Sequence, residues 1–288
     1  MLIVMGTLTR IAWTCIAVSL LVAGVAWFFN RAPSDISASQ RASREDTPIY
    51  SLNDQVMGAA IQALLGENAD LEMSISIVDL QNNDSYHYGD TDSYMAASIS
   101  KLLTATLFLH KVELGQATLA EMIGVGTARS QLEKLIVESD NTAWHALNAK
   151  LTLGSLQEYA KTIGMRSYDV AANTVSSDDI ASLLSKLARG KLLDNHNTDF
   201  LLSLMHQANM RNYIVAGISE GATAYHKTGY LADRVHDAAI IKKGDRSYVL
   251  VIFSKASGNY DFGRGATLFG NITAVTSDAF FGSANSGG

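Results

Sequence analysis

The sequence predicts an α+β fold, with an antiparallel sheet of about five strands packed against helices and a separate helical lobe. Three observations predict it. A helix and a hairpin come first, a long block of helical segments fills the middle, and three strand-like segments and a helix close the chain. Residues 98–112 are apolar nearly all round, which marks a helix that is central and buried. Strand-type alternation is confined to the two ends of the domain, so the sheet draws on both.

Residues 51–65 read as an amphipathic helix. Ser51 and Asp54 can cap its start, and Leu52, Val56, Ala59, Ala63 and Leu64 form its apolar stripe. Met73, Ile75 and Ile77 alternate with Ser74 and Ser76, as in a half-buried strand. Asn82-Asn83-Asp84 is a turn, and 85–88 would be the returning strand. After the buried segment, further helices are predicted over 130–137, 142–149, 155–163 and 178–188. The third of these opens with a Ser155-to-Glu158 capping box and closes at Gly164; the fourth stops at Gly190. Strands are predicted at 223–229, 238–242 and 248–254, and a last helix over 265–281. A cleft between the sheet and the helical lobe is the natural place for a site.

Ahead of this domain, assigned to residues 48–288, residues 11–29 hold nothing more polar than Thr14 and Ser19. About nineteen such residues, rising about 1.5 Å each, suffice to cross a bilayer. The run ends in Trp27-Phe28-Phe29, bulky groups that prefer the membrane interface, whereas a cleaved signal peptide has a shorter core and small residues at its end. Residues 1–29 are therefore expected to be a membrane anchor, with a signal peptide, and a secreted domain if it is cleaved, as the alternative. The polar, Ser- and Ala-rich residues 30–47 read as a flexible linker. Arg10 lies before the run and Arg31, Arg41 and Arg44 after it, so charge counting alone leaves the domain inside.

Composition excludes several function classes. The net charge is −6 with Lys and Arg scattered, so no basic stripe invites nucleic acid. Cys15, within the apolar run, is the only cysteine, which excludes disulfides, thiol catalysis and zinc–thiolate sites from the domain. The seven histidines lack a recurrent ligand spacing, so no metal and no cofactor is expected. The domain reads as a monomer.

Three short motifs carry chemistry. Ser98-Ile99-Ser100-Lys101 opens the buried helix and puts a hydroxyl and an amine on one face, one turn apart. A serine becomes a nucleophile when a base takes its proton, and a lysine can do so when burial lowers its pKa. Ser139-Asp140-Asn141 lies at a junction between helices, where the same residues also serve as caps. Lys227-Thr228-Gly229 sits in a predicted strand and is followed by Tyr230. A cation, a hydroxyl and a glycine that lets a ligand approach make an edge suited to a carboxylate. Each motif alone has a blander explanation: a capped helix with a solvated lysine, a helix cap, a surface Lys-Thr before a turn.

Together, in this order and these contexts, the motifs resemble those of class A β-lactamases and penicillin-binding proteins. The likeness extends to Met95-Ala96-Ala97-Ser98-Ile99-Ser100-Lys101-Leu102, to Leu135 through Ala143, and to Leu204-Met205 with His226 through Gly229. The resemblance implies a β-lactamase/transpeptidase-like fold and a serine hydrolase acting through an acyl-enzyme on β-lactams, D-Ala-D-Ala peptides of the cell wall, or both. It implies Ser98 as nucleophile and Lys101 as base or orienter. Ser139 becomes the proton relay to the leaving nitrogen, and Asn141 a ligand of Lys101 and of the substrate's amide. Lys227 and Thr228 would hold the substrate carboxylate. The backbone N–H groups of Ser98 and Tyr230 would form the oxyanion hole, with Gly229 beside them. His236 and Asp237 lie where the family often places a carboxylate-binding arginine; the pair reads equally as a structural strand end. Because such substrates lie outside the cytoplasmic membrane, the domain is expected there, against the charge count.

One departure bears on mechanism. The family's deacylating glutamate belongs to a Glu-x-x-Leu-Asn signature in an omega-shaped loop. Residues 164–174 here are shorter and contain no glutamate; Asp169 is their only carboxylate. Acylation is supported by the residues present, and fast deacylation is not. The alternative is a non-hydrolytic penicillin-binding or sensor domain.

Overall fold

The computed structural model describes residues 52–282; the expected anchor and linker lie outside them. Among the described residues no helix is long and apolar enough to cross a membrane. Helix α1 (Leu52–Glu67) leads into β1 (Leu71–Asp79) and β2 (Ser85–Gly89), joined at Asn82-Asn83-Asp84, where Asn83 takes a φ of 72°. A short β3 (Tyr94–Met95) precedes a 3-10 turn (Ala97–Ser100) and α2 (Lys101–Glu113). The helical lobe continues through β4 (Met122–Ile123), β5 (Gly126–Thr127), α3 (Ala128–Glu133), a π turn (Lys134–Glu138), α4 (Asn141–Leu151) and α5 (Leu153–Thr162). Then come β6 (Thr174–Val175), α6 (Ser177–Ala188), α7 (Asn195–His206) and a 3-10 turn (Ile214–Gly217). Strands β7 (Thr223–Leu231), β8 (Arg234–Lys243) and β9 (Arg246–Ala256) and helix α8 (Phe262–Phe281) end the domain.

The main sheet has five strands in the order β2-β1-β9-β8-β7, every pair antiparallel. The last strand thus inserts between the hairpin and the β7–β8 pair. Both faces of the sheet are covered, and the side-chain period of two divides β9 between two cores. Val249, Val251 and Phe253 face the helical lobe, and Tyr248, Leu250 and Ile252 face α1 and α8. Helix α2 runs through the first core, buried from Lys101 to Leu109. That is why its sequence shows no polar face.

Some expectations need correction. The buried face of α1 is Met57 and Ile61, with Leu64 and Leu65 packed beside them, while Val56 is 63% exposed. Packing on α8 and β2, where the Tyr88 ring lies against Gly58, turns the helix away from the predicted stripe. Helix α5 is capped by Thr152, whose hydroxyl accepts from Ser155 N, so Ser155 is inside the first turn and not the cap. Helix α7 had no clear sequence signal, because Asn195 to Asp199 are polar and its apolar face begins only at Phe200. Asp194 caps it, and Leu201, Leu204 and Met205 bury it. Gly164 and Gly190 end their helices as expected, at φ of 87° and 62°.

The reassigned face of α1 can be checked directly. Ile61→Ala should cost about 2–5 kcal/mol and Val56→Ala at most about 0.5 kcal/mol, read by urea unfolding. The opposite ranking would restore the face that the sequence predicts.

Candidate active site

The 3-10 turn after β3 presents Ser98, half-buried, at the mouth of a cleft between sheet and helical lobe. In a 3-10 turn residues i and i+3 eclipse, so Ser98 and Lys101 stand one above the other. Lys101 is the first residue of α2 and fully buried. Its Nζ donates to Ser139 Oγ at 3.2 Å, to Asn141 Oδ1 at 2.8 Å and to the Ser139 carbonyl, and it lies 5.4 Å from the centre of the Trp144 ring. Ser98 Oγ is not among the hydrogen-bond partners of this amine; catalytic hydrogen bonds of empty sites often close only with substrate.

Ser139 reaches the cleft because the π turn ends on it in the left-handed region, at φ 58°. Single π turns recur at functional sites. Asp140 then caps α4, accepting from Ala143 N at 2.6 Å, and Asn141 opens that helix. Of the motif Ser-Asp-Asn, the middle residue is the cap and the outer two face the cleft.

Strand β7 forms the other wall. Lys227 is buried, and its Nζ donates to Ser139 Oγ at 2.9 Å and to the Thr228 carbonyl at 2.8 Å. One serine oxygen therefore accepts from both lysines. A Cβ on Gly229 would lie 2.7 Å from Ser98 N and 3.0 Å from Ile99 N, so only glycine lets the strand backbone lie this close to the Ser98 turn. Tyr230 is 55% exposed at the rim, edge-on to Phe262. Beneath the strand, buried His226 Nδ1 faces Asp237 Oδ1 at 3.1 Å, and Asp237 also accepts from Ile214 N and Ala238 N.

The cleft, about 380 Å³, is lined by Ser98, Ser139, Asn141, Lys227, Thr228 and Tyr230, together with Val137, Glu138, Asn209 and Met210. His236 is not among them. It is wholly buried behind β3, with Nε2 on the Met95 carbonyl at 3.0 Å and its ring against Phe253. Burial pushes it down to about 4, so it is neutral and braces the Ser98 turn through the Met95 carbonyl instead of lining the cleft. Asp237 likewise faces inward. Trp144 and Glu138 were not singled out from sequence. Trp144 could have been, since it lies three residues after Asn141 on the same helix face.

A larger hollow of about 470 Å³ lies beside β1, β2 and α6 and contains Ser76, His87 and Asp178. There Ser76 Oγ and His87 Nδ1 share the same Asp178 oxygen, at 2.6 and 2.9 Å. Serine spends its proton on the carboxylate, so this is no nucleophile relay.

The sequence of residues 57–280 matches a family described as the β-lactamase enzyme family. The chain belongs to that family. Solved structures share the fold at low identity. PBP-A matches at 24% identity and TM-score 0.71, over 77% of this chain and 95% of that one. A β-lactamase from Sphaerobacter thermophilus matches at 20% and 0.70, over 78% and 97%. One from Xanthomonas campestris matches at 16% and 0.72, over 79% and 98%. Among curated proteins none matches.

Within this β-lactamase-family cleft the two lysines are the electrostatic centre. Burial lowers Lys101 to about 8, against the opposing pull of Asp140. Burial lowers Lys227 further, to about 7, helped by repulsion from Lys101 and opposed by Asp237. Perturbed amines facing a serine in a cleft are what acyl-transfer chemistry requires. Residues 164–174 offer no carboxylate to the cleft: Asp169 Oδ1 accepts from Ala171 N at 2.8 Å and from Ala172 N at 3.0 Å. Among the described residues, the one carboxylate lining the cleft is Glu138.

Gly229→Ala should cost about 1–3 kcal/mol through overpacking against Ser98 N. Thermal unfolding measures it; an unshifted Tm would mean that the strand and the Ser98 turn are not in this contact.

Proposed function

We propose that this protein is a serine hydrolase that acylates Ser98 with β-lactams, D-Ala-D-Ala peptides or both, and that releases the acyl group slowly. The observation that carries the reading is the Ser139 hydroxyl accepting from Lys101 and Lys227 at once. The cycle begins with neutral Lys101 taking the Ser98 proton as Oγ attacks the carbonyl carbon. The oxyanion collects on the backbone N–H groups of Ser98 and Tyr230, donors worth about 2.7–4 kcal/mol each in acyl transfer. With Lys227 and Lys101 donating to its oxygen, Ser139 can turn its own proton to the leaving nitrogen, and Lys101 returns the proton it took. Lys227 and Thr228 hold the substrate carboxylate, and Asn141 holds its amide.

Hydrolysis of the acyl-enzyme then needs a base for water. Asp169 is turned onto its own loop, which favours a long-lived acyl-enzyme, and a mutant of PBP-A has been seen as an acyl-enzyme with penicillin G. On this reading the protein is nearer a peptidase or penicillin-binding domain than an antibiotic-clearing β-lactamase. Carried over with the reading are an anchor at residues 11–29 and a domain outside the cytoplasmic membrane, where both substrate classes occur.

A fluorescent penicillin should label the purified protein covalently, with label lost in Ser98→Ala and retained for many minutes in wild type. Rapid release of hydrolysed drug would instead make it an efficient β-lactamase, with Glu138→Gln the variant to test next. No label and no turnover would leave only the non-hydrolytic binding reading.

The labelling rate should be bell-shaped in pH. Below about 8 Lys101 gains a proton and stops acting as base, and above about 7 Lys227 loses the charge that binds carboxylate, so the maximum lies between. Lys227→Arg, whose charge persists, should remove the alkaline limb and keep the acid one. An alkaline limb unchanged in that variant would unseat Lys227 from its role.

A further inference from the structure

The residue before the nucleophile, Ala97, has a φ of 49°. For an alanine this left-handed backbone costs about 1–2 kcal/mol and persists only where neighbours hold it. The neighbour here is a second left-handed residue, Asn173, at φ 50°. The two segments are tied twice. Ala96 N donates to the Asn173 carbonyl at 2.7 Å, and Asn173 Nδ2 donates to the Ala97 carbonyl at 3.2 Å. The two-residue ladder of β3 and β6 continues the same contact, Met95 opposite Thr174 and Tyr94 opposite Val175. Asp169 keeps the loop in shape by accepting from Ala171 N and Ala172 N and by bridging to Thr174. On the other side of the turn stands Gly229, so the Ser98 N–H is gripped between strand β7 and this loop.

We infer that residues 169–174, which supply no carboxylate to the cleft, serve the reaction by setting the backbone of the nucleophile turn, with Asn173 as the positioning residue. This rests on the acyl-enzyme reading above. Asn173 is not among the residues that line the cleft. Its amide shares the Ala97 carbonyl with the Ser100 hydroxyl, each at 3.2 Å, and helps fix the Ala97–Ser98 peptide, and through it the direction of the Ser98 N–H at which the oxyanion forms. Asparagine suits the place for two independent reasons: it tolerates a positive φ, and its side chain carries the donor that the Ala97 carbonyl takes.

The two contributions separate by substitution. Asn173→Gly keeps the left-handed backbone and its bond to Ala96 N and removes only the side-chain donor. Asn173→Asp keeps size and backbone preference and sets an acceptor against the carbonyl. Both are compared with wild type by the rate constant of acylation by fluorescent penicillin, its non-covalent dissociation constant, the affinity of a phenylboronic acid, and Tm. For Asn173→Gly the acylation rate constant should fall about three- to tenfold, the worth of one hydrogen bond, and for Asn173→Asp at least as far. Boronate affinity should fall by the same factor, because the tetrahedral adduct uses the same N–H. The non-covalent constant should stay within about twofold.

Acylation and boronate affinity within about twofold of wild type in both variants would overturn the inference. So would a loss that falls wholly on the non-covalent constant, or one that appears only at temperatures where the variants begin to unfold. A wild type that penicillin never acylates would bring down the acyl-enzyme reading, and this inference with it; a wild type that is acylated isolates the question of Asn173.

Discussion

Two ammonium groups meeting on one hydroxyl is the constraint around which the rest of this structure is arranged. Burying a cation is expensive unless it is paired or hydrogen-bonded, and two buried cations also repel. Lys101 and Lys227 are tolerated because Ser139, Asn141 and the Thr228 carbonyl accept their hydrogen bonds, and because Trp144, Asp140 and Asp237 lie near. The same cost drives both amines towards neutrality. A fully solvated lysine would be an ammonium at neutral pH and useless as a base. Stability and reactivity thus trade against each other at one point, as is usual where a fold hosts chemistry.

The surrounding elements can be understood as holding that point. Helix α2 is buried so that Lys101 is dry. The π turn forces Ser139 into the left-handed region, which a regular helix would not do. Gly229 admits β7 to the nucleophile turn, and His236, neutral and enclosed, supports the turn from behind. The His226–Asp237 pair sits under β7 and keeps a carboxylate near Lys227 without exposing it to solvent. Apart from the π turn, whose Val137 and Glu138 line the cleft, these supports stay out of it.

How much of this could be read from the amino acids follows from what kind of signal each part leaves. The five strands and the buried helix were legible, since β9 and α2 are long apolar runs set by burial on both sides. The motif residues were legible because their types and order are unusual in combination. Helix α7 was not, since its first turn is built from polar residues whose cap, Asp194, looks like any loop aspartate. The face of α1 was misjudged because Val56 and Met57 are equally apolar neighbours, and only the partner α8 chooses between them. His236 was misplaced for a related reason: strand alternation says which face a side chain takes, not whether that face is cleft or core. Of the left-handed pair, asparagine at 173 is a type that tolerates a positive φ, but alanine at 97 gives no hint of one.

The register of β1 against β9 has a consequence for how the chain becomes this shape. Leu71 pairs with Ala256 and Asp79 with Tyr248, so the first strand, already paired with β2, finds its second partner only once nearly the whole domain has been made. Pairings so distant along the chain fold slowly, since the entropy of closing the loop is lost before the contact is gained. The helical lobe, rich in local contacts, can condense ahead of the sheet. Until β9 arrives, the apolar edge of the β1–β2 hairpin is open, and the newly made protein has its greatest exposure to aggregation and proteolysis in that interval.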